Sequence, residues 1–245
     1  MIRLHVASDL SADAGIVLGK EQSHYLANVM RLKEGETVAL FNGRDGEWSA
    51  TIERVAKSGV ALHARARTRP QAAEPDLWLL AAPIKKDRID LVAEKAAELG
   101  VSRLWPVLTR RTAMSRVNTE RLAAHMVEAA EQCERLSVPE VSEPAPLDKA
   151  VADWDPGRPL LFLDEGGTGA PIAAALAGLR PGKLAVLVGP EGGFDESERA
   201  LLARLPFAVP VGLGPRILRA ETAAIAALAV VQALLGDWNR GPRAS

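Results

Sequence analysis

The sequence predicts an α/β protein in which a small β-rich domain precedes a larger domain built on a parallel sheet. Three observations carry that reading. Near-continuous apolar runs recur after residue 76, at "LWLLAAP" (77–83), "RLWPVL" (103–108), "PLLFLDE" (159–165), "KLAVLVG" (183–189) and "FAVPVGL" (207–213). Strands covered by helices on both faces need such runs. Segments of helical period separate them, whereas the first 70 residues show only short, alternating stretches. Between the two regimes, "RTRPQAAEPDLW" (67–78) has the prolines and small polar residues of a linker.

In the first region, "ETVALF" (36–41) and "EWSATIER" (47–54) flank the turn-rich "NGRDG". Trp48, Ala50 and Ile52 fall on one face of the second strand, with Ser49, Thr51 and Glu53 on the other. "GVALHARARTR" (59–69) follows a Lys-Ser-Gly turn. With "IRLHV" at the start and a short helix around 21–30, these segments make a small, mostly antiparallel barrel, domain 1–70. The second domain, 76–240, takes helices at about 88–99, 119–135, 171–179, 195–205 and 221–236. In the first helix Ile89, Val92, Ala96 and Leu99 share a face, Asp87 is placed to cap and Gly100 to terminate. Asp195 with Glu198 three residues on forms the signature of a capping box. The last helix, "TAAIAALAVVQALL" (222–235), is apolar nearly all round and is expected to be buried on several sides.

Composition sets outer limits. A chain of 245 residues with 48% hydrophobic and 25% charged residues has ample material for a core. Its net charge of −1 leaves nucleic-acid binding to local patches. A single cysteine, Cys133, excludes an internal disulfide and a cysteine-rich zinc site. The histidines His5, His63 and His125 show no metal-ligand spacing, so no metal is expected. The opening "MIRLHVASDL" lacks a charged segment followed by an apolar one, and the apolar tract Ala223–Leu235 is too short for a bilayer. A cytoplasmic protein with no membrane partner is the expectation.

Chemistry concentrates in three loops at the carboxyl ends of predicted strands, where open α/β sheets bind ligands. They are "LDEGGTGAP" (163–171), "VGPEGGF" (188–194) and "LGPRILRAET" (213–222). Their glycines permit close backbone approach. Neither phosphate-binding pattern, G-x-G-x-x-G opening a helix or G-x-x-x-x-G-K-[ST], is present. A glutamate among glycines suits a ligand with hydroxyls and a positive charge, and S-adenosylmethionine is one.

"VGPEGGFDESE" followed by "LGPRILRAETAAIAAL" resembles the cofactor-site motifs of the trefoil-knot (SPOUT) RNA methyltransferases. The similarity is greatest to the bacterial family that methylates N3 of a uridine in 16S ribosomal RNA. "HYLANVMRLKEGE" (24–36), "KKDRIDLVAEKAAELGV" (85–101) and "AAEQCERLSVPEV" (129–141) agree with the same family, so the resemblance spans nearly the whole chain. It implies a PUA-like, RNA-binding barrel followed by a knotted parallel-sheet methyltransferase domain, and a homodimer. The implied S-adenosylmethionine site comprises Leu163, Gly189, Pro190, Glu191, Gly192, Gly193, Leu213, Gly214, Ile217, Leu218 and Arg219. Arg219 and Glu221 become the catalytic candidates, Glu221 to accept the N3 proton and Arg219 to stabilise charge on the uracil oxygens. A structural ion pair and cap at the helix start is the other reading of these two.

The expected partner is small-subunit ribosomal RNA, free or in the assembled 30S subunit. Contacts to it are expected from His24, Arg31 and Lys33, from Arg65, Arg67 and Arg69 alternating along one strand, and from Lys86, Arg88, Arg110 and Arg111. Two alternatives have other targets or none. One is a knotted methyltransferase acting on a ribose 2′-hydroxyl or a tRNA base; ribose-methylating relatives carry a Ser/Asn-rich stretch where this chain has "RAETAA". The other is a non-catalytic RNA-binding assembly protein.

Overall fold

The computed structural model describes residues 1–114, 116–167 and 169–239. The chain divides into two compact units, Met1–Ala73 with Ala130–Val138, and Glu74–Ala129 with Pro139–Ser245.

The first unit contains β1 (Arg3–His5), β2 (Gly15–Val17), α1 (Lys20–His24), a π-helical turn (Tyr25–Val29), β3 (Thr37–Phe41), β4 (Glu47–Ala56) and β5 (Gly59–Arg69). Its sheet runs β1-β3-β4-β5-β2. All pairs are antiparallel except β1 with β3. Period-two alternation sends Leu4, Ile16, Val38, Leu40, Ala50, Ile52, Val60 and Leu62 from all five strands into one core, joined by Leu26 of the π-helical turn. Trp48 packs on this core only partly buried.

The segment 130–138, expected in the second domain, belongs to the first unit by its contacts. The buried Arg3 donates from Nη1 to the carbonyls of Ala130 and Glu131, each at 3.0 Å, and from Nη2 to that of Arg135 at 2.7 Å. Its Nε donates to Glu47 Oε2 at 2.7 Å. One guanidinium thus ties β1, β4 and the distant segment together.

The second unit contains β6 (Leu77–Ala81), α2 (Lys86–Glu98), β7 (Arg103–Leu108), β8 (Glu140–Val141), β9 (Ala145–Pro146), α4 (Leu147–Ala150), β10 (Leu160–Leu163), β11 (Ala170–Pro171), α5 (Ile172–Ala177), β12 (Leu184–Val188), α6 (Glu196–Ala203), β13 (Ala208–Gly212) and α7 (Ala220–Leu234). The helix α3 (Thr119–Gln132) passes from this unit into the first. The strands form a parallel sheet in the order β11-β13-β10-β12-β6-β7-β8, with β9 also on β7. The strands β6, β10 and β12 are buried almost throughout, as their apolar runs require. On one side the core gathers Leu80, Leu160, Phe162, Ala185, Leu187 and Phe194 with Trp154 of the β9–β10 region.

Two helix ends differ in detail from expectation. Asp87 sits in the first turn of α2 rather than capping it, and the N-cap position is Lys85. Asp195 does cap α6, accepting from Ser197 N while Glu198 receives the Asp195 amide at 2.9 Å. The helix α7 buries Ala220, Ala224, Ala227, Leu228, Val231 and Gln232 but leaves Leu234 half exposed, so its burial is one-sided within the chain.

The strand order has a threaded feature. Leu163 of β10 and Ala170 of β11 both pair with Val211 of β13, from opposite sides. Strand β13 therefore runs between β10 and the stretch that follows β10 in the chain, an arrangement that ordinary topology avoids. The crossing is tight at Gly169, where a Cβ would lie 2.7–2.8 Å from the N, Cα and C atoms of Val211. Backbone cannot swing aside as a side chain can. Gly169→Ala should therefore cost about 1–3 kcal/mol from overpacking, read by urea unfolding, and should weaken any ligand held by the loops around Val211.

Candidate cofactor and active site

The three glycine-rich loops meet at the carboxyl ends of β10, β12 and β13 and enclose one cavity of about 880 Å³. That is within the size range of small-molecule sites. Leu163, Gly189, Pro190, Glu191, Gly192, Leu213, Gly214, Ile217, Leu218 and Arg219 all line it. Gly193 does not. It has φ +66° and donates from its amide to the Pro190 carbonyl at 2.9 Å, closing a turn that pushes Glu191 and Gly192 outward. Behind the turn, a Cβ on Gly189 would press within 3.3 Å of the buried Phe194 ring. The glycines at 189 and 193 thus shape the loop, and its tip meets the ligand.

The lining chemistry is mixed. Leu163, Val188, Leu213, Ile217 and Leu218 offer an apolar surface, and Ile217 is 89% exposed. Glu165 and Glu191 bring carboxylates, and Arg88, Arg216 and Arg219 bring cations. Glu165 was not singled out from the sequence, although it lies in a loop that was. Its carboxyl leans over Gly193, where a Cβ would collide with Oε1. Loss of hydration there raises its pKa above the usual carboxylate range, and the charge of Asp164 adds to the effect.

The loop after β7 braces this wall. Arg111 Nη1 donates to the Gly192 carbonyl at 2.8 Å, and the Arg110 amide donates to Glu198 Oε1 at 2.7 Å. Hydrogen bonds from Ser197 hold the Asp195 carboxyl below the usual range, and the charges of Arg110 and Arg111 lower it further. Arg110 keeps a side chain 70% exposed. These two arginines, expected on RNA, thus also fix the cofactor-side loop.

Arg219 and Glu221 begin α7, and the structure places them differently. Arg219 occupies the N-cap position, makes no side-chain cap and points its exposed side chain to the cavity. Glu221 is not among the lining residues. Its side chain is 12% exposed, its Oε1 faces Arg88 Nε at 3.6 Å, and its Oε2 is buried without a hydrogen-bond partner among the described residues. The Arg219–Glu221 ion pair and cap of the alternative reading is absent from the described contacts, and Arg88 is the cation beside the glutamate.

The expected RNA contacts separate into two sets. His24, Arg31, Lys33, Arg65 and Arg67 are exposed on the first unit. His24 Nδ1 lies 2.9 Å from Asn28 Nδ2, and Arg31 adopts φ +56° where the π-helical turn ends. Arg69 leaves that face. Between Glu47/Arg69 and Trp48/Arg67 the ladder carries a bulge, so Arg69 turns to Glu47 and to the Glu134 carbonyl at 3.0 Å. Arg88 lines the cavity instead. The side chain of Lys86 lies outside the described residues. Among those residues no group of three or more His, Cys, Asp or Glu is placed to hold a metal, and no helix is long and apolar enough to cross a membrane.

Comparison with known proteins agrees with this architecture. The RNA methyltransferase domain family matches residues 72–232, and the RNA methyltransferase PUA domain family matches residues 18–63. The ribosomal RNA small subunit methyltransferase E of Rickettsia conorii is 34% identical over 241 residues, covering 96% of both chains. Among solved structures, a Legionella pneumophila methyltransferase in complex with SAM is 32% identical with a TM-score of 0.84, covering 95% of this chain and 97% of that one. The ribosomal RNA small subunit methyltransferase E of Neisseria gonorrhoeae, bound to S-adenosyl methionine, is 26% identical with a TM-score of 0.88 over 97% and 99% of the two chains. By the span of these matches the chain belongs to the RNA methyltransferase family, its PUA domain preceding its methyltransferase domain.

Proposed function

We propose that this protein uses S-adenosylmethionine to methylate N3 of a uridine in small-subunit ribosomal RNA. The observation that carries the reading is the cavity itself. Three glycine loops converge at one sheet edge, with carboxylates, apolar walls and arginines in the combination that an adenosyl group, a sulfonium and an acidic nucleobase require. Glycine backbone leaves room for the ribose and amino-acid moieties, and Leu163, Val188 and Leu218 suit an adenine ring. Glu165 and Glu191 suit the positive charges. When bound, the cofactor supplies an electrophilic methyl carbon whose bond to sulfur breaks as N3 takes the methyl.

The chain's own residues do the rest. Arg219, exposed at the wall, orients the base and stabilises negative charge on its carbonyl oxygens. Glu221 works from behind the wall through Arg88. His24, Arg31, Lys33, Arg65 and Arg67 engage phosphates from the PUA side, and Arg110 and Arg111 do so beside the cofactor loop. The half-uncovered α7 and the exposed Ile217, Leu234 and Trp238 support a homodimer. The same reading places the enzyme in the cytoplasm, where ribosomal RNA is.

The test is transfer of labelled methyl groups to 30S subunits from a strain lacking the gene. The purified protein should label their RNA, and Gly192→Trp, which fills the cavity at the loop tip, should not. Labelling that survives Gly192→Trp would place the cofactor elsewhere.

A further inference from the structure

Arg88 stands where α2 begins and presents its guanidinium to the cavity. The side chain is only 31% exposed. Its Nη1 lies 3.8 Å from Glu191 Oε1 and its Nε 3.6 Å from Glu221 Oε1, both beyond hydrogen-bond reach. Among the described residues this guanidinium has ion pairs but no hydrogen bond, so its fork of N–H donors lacks close acceptors. Water reaches the part of the fork that is exposed, and a ligand filling the cavity would displace it. A half-buried fork held between two carboxylates at a cavity wall is therefore a place for an acceptor on a ligand.

The substrate chemistry supplies that acceptor. Uracil N3 lies between two carbonyl oxygens, and the charge left when N3 loses its proton spreads onto both. The N3–H bond and the incoming methyl share one in-plane direction. A protein base therefore cannot stay where the proton points while the methyl arrives. What the site can supply throughout is a cation fixed against a carbonyl oxygen.

We propose that Arg88 is a catalytic residue that donates to one carbonyl oxygen flanking N3, and that Glu191 and Glu221 are positioning residues that hold it there. The inference rests on the uracil-N3 reading above. The N3–H bond breaks heterolytically, the proton passes to a solvent water, the electron pair stays on nitrogen, and Arg88 stabilises the charge on the ring. Arg219 serves the other side of the base. Where the oxygen met by the fork is O4, the fork also selects against cytosine, which carries an amino donor there.

The test compares wild type, Arg88→Met, Arg88→Lys and Glu221→Gln. Initial rates are measured across pH on 30S subunits from a strain lacking the gene, with cofactor affinity measured by calorimetry. Arg88→Met should lose about 10²-fold at neutral pH with cofactor affinity within a few-fold. Its acid limb should move to higher pH, so that the deficit shrinks as pH rises and more of the base ionises unaided. Arg88→Lys should recover part of both effects, and Glu221→Gln should shift the limb the same way by less. A loss in Arg88→Met that is uniform across pH and accompanied by weak cofactor binding would make Arg88 only a strut of the loop. A Glu221→Gln profile with no acid limb would make Glu221 the proton acceptor. Either result overturns the assignment. A wild type that leaves uracil N3 unmethylated fails the underlying reading, and this is seen before any variant is compared.

Discussion

Glu47→Ala should destabilise the protein by about 3–5 kcal/mol, the cost of leaving a buried charge without its partner. Arg3 and Glu47 pair at 2.7 Å with side chains 6% and 8% exposed, so the interaction is scarcely screened by solvent. Thr68 Oγ1 also donates to Glu47, at 3.0 Å, and Arg69 approaches at 3.4 Å. Removing the carboxylate strands the Arg3 guanidinium, whose carbonyl partners on 130–138 cannot neutralise it. The pH dependence follows. Burial alone would raise the Glu47 pKa, but hydrogen bonds from Arg3 and Thr68 and the charges of Arg3 and Arg69 bring it below the usual value. A carboxyl lowered on folding contributes stability that is complete above its unfolded pKa and is lost as pH falls through its folded one. Urea unfolding of wild type should show that acid-side loss, and Glu47→Gln should show less of it. Exposed Lys57→Ala is the control, expected within about 0.5 kcal/mol of wild type.

Arg219→Ala should lower kcat/KM by about 10²–10³-fold, the usual effect of removing one donor aimed at developing charge. The loss should fall mainly on kcat, because the interaction strengthens as the ring becomes anionic. Arg219 is exposed, lines the cavity and makes no side-chain cap on α7, so the melting temperature should stay close to wild type. A fall in stability equal to that of a lost helix cap, about 1 kcal/mol, with unchanged turnover would instead restore the structural reading of this position.

The sequence was most legible where one element alone decides the outcome. The apolar runs placed β6, β10 and β12, because a strand covered on both faces must be apolar along its length, and they also placed β7 and β13, which are only partly buried. Asp195 and Glu198 announced the start of α6, since a capping box is a local motif. The three loops were legible through their glycines, and ten of the eleven residues assigned to the cofactor do face one cavity. What stayed hidden depends on distant partners. The strands β2, β8, β9 and β11 have two or three residues each, too few to show a period. The return of 130–138 to the first unit hangs on the hydrogen bonds of Arg3, which no local pattern records. Alternation put Arg69 beside Arg65 and Arg67, but a bulge opposite Glu47 turned it inward. Glu221 was read as facing the base together with Arg219, from the motif that both belong to. Arg219 is the extended N-cap residue whereas Glu221 lies in the first turn of α7, so the two side chains need not share a direction, and α2 supplied Arg88 to meet the glutamate.

The central claim is that this cavity directs a methyl group to one atom of one base. Nucleoside mass spectrometry of ribosomal RNA, taken from 30S subunits of a strain lacking the gene before and after treatment with protein and labelled cofactor, tests it most directly. The account predicts labelled N3-methyluridine after treatment, absent before it and absent with Gly192→Trp. Label found on a ribose or on another base would contradict it.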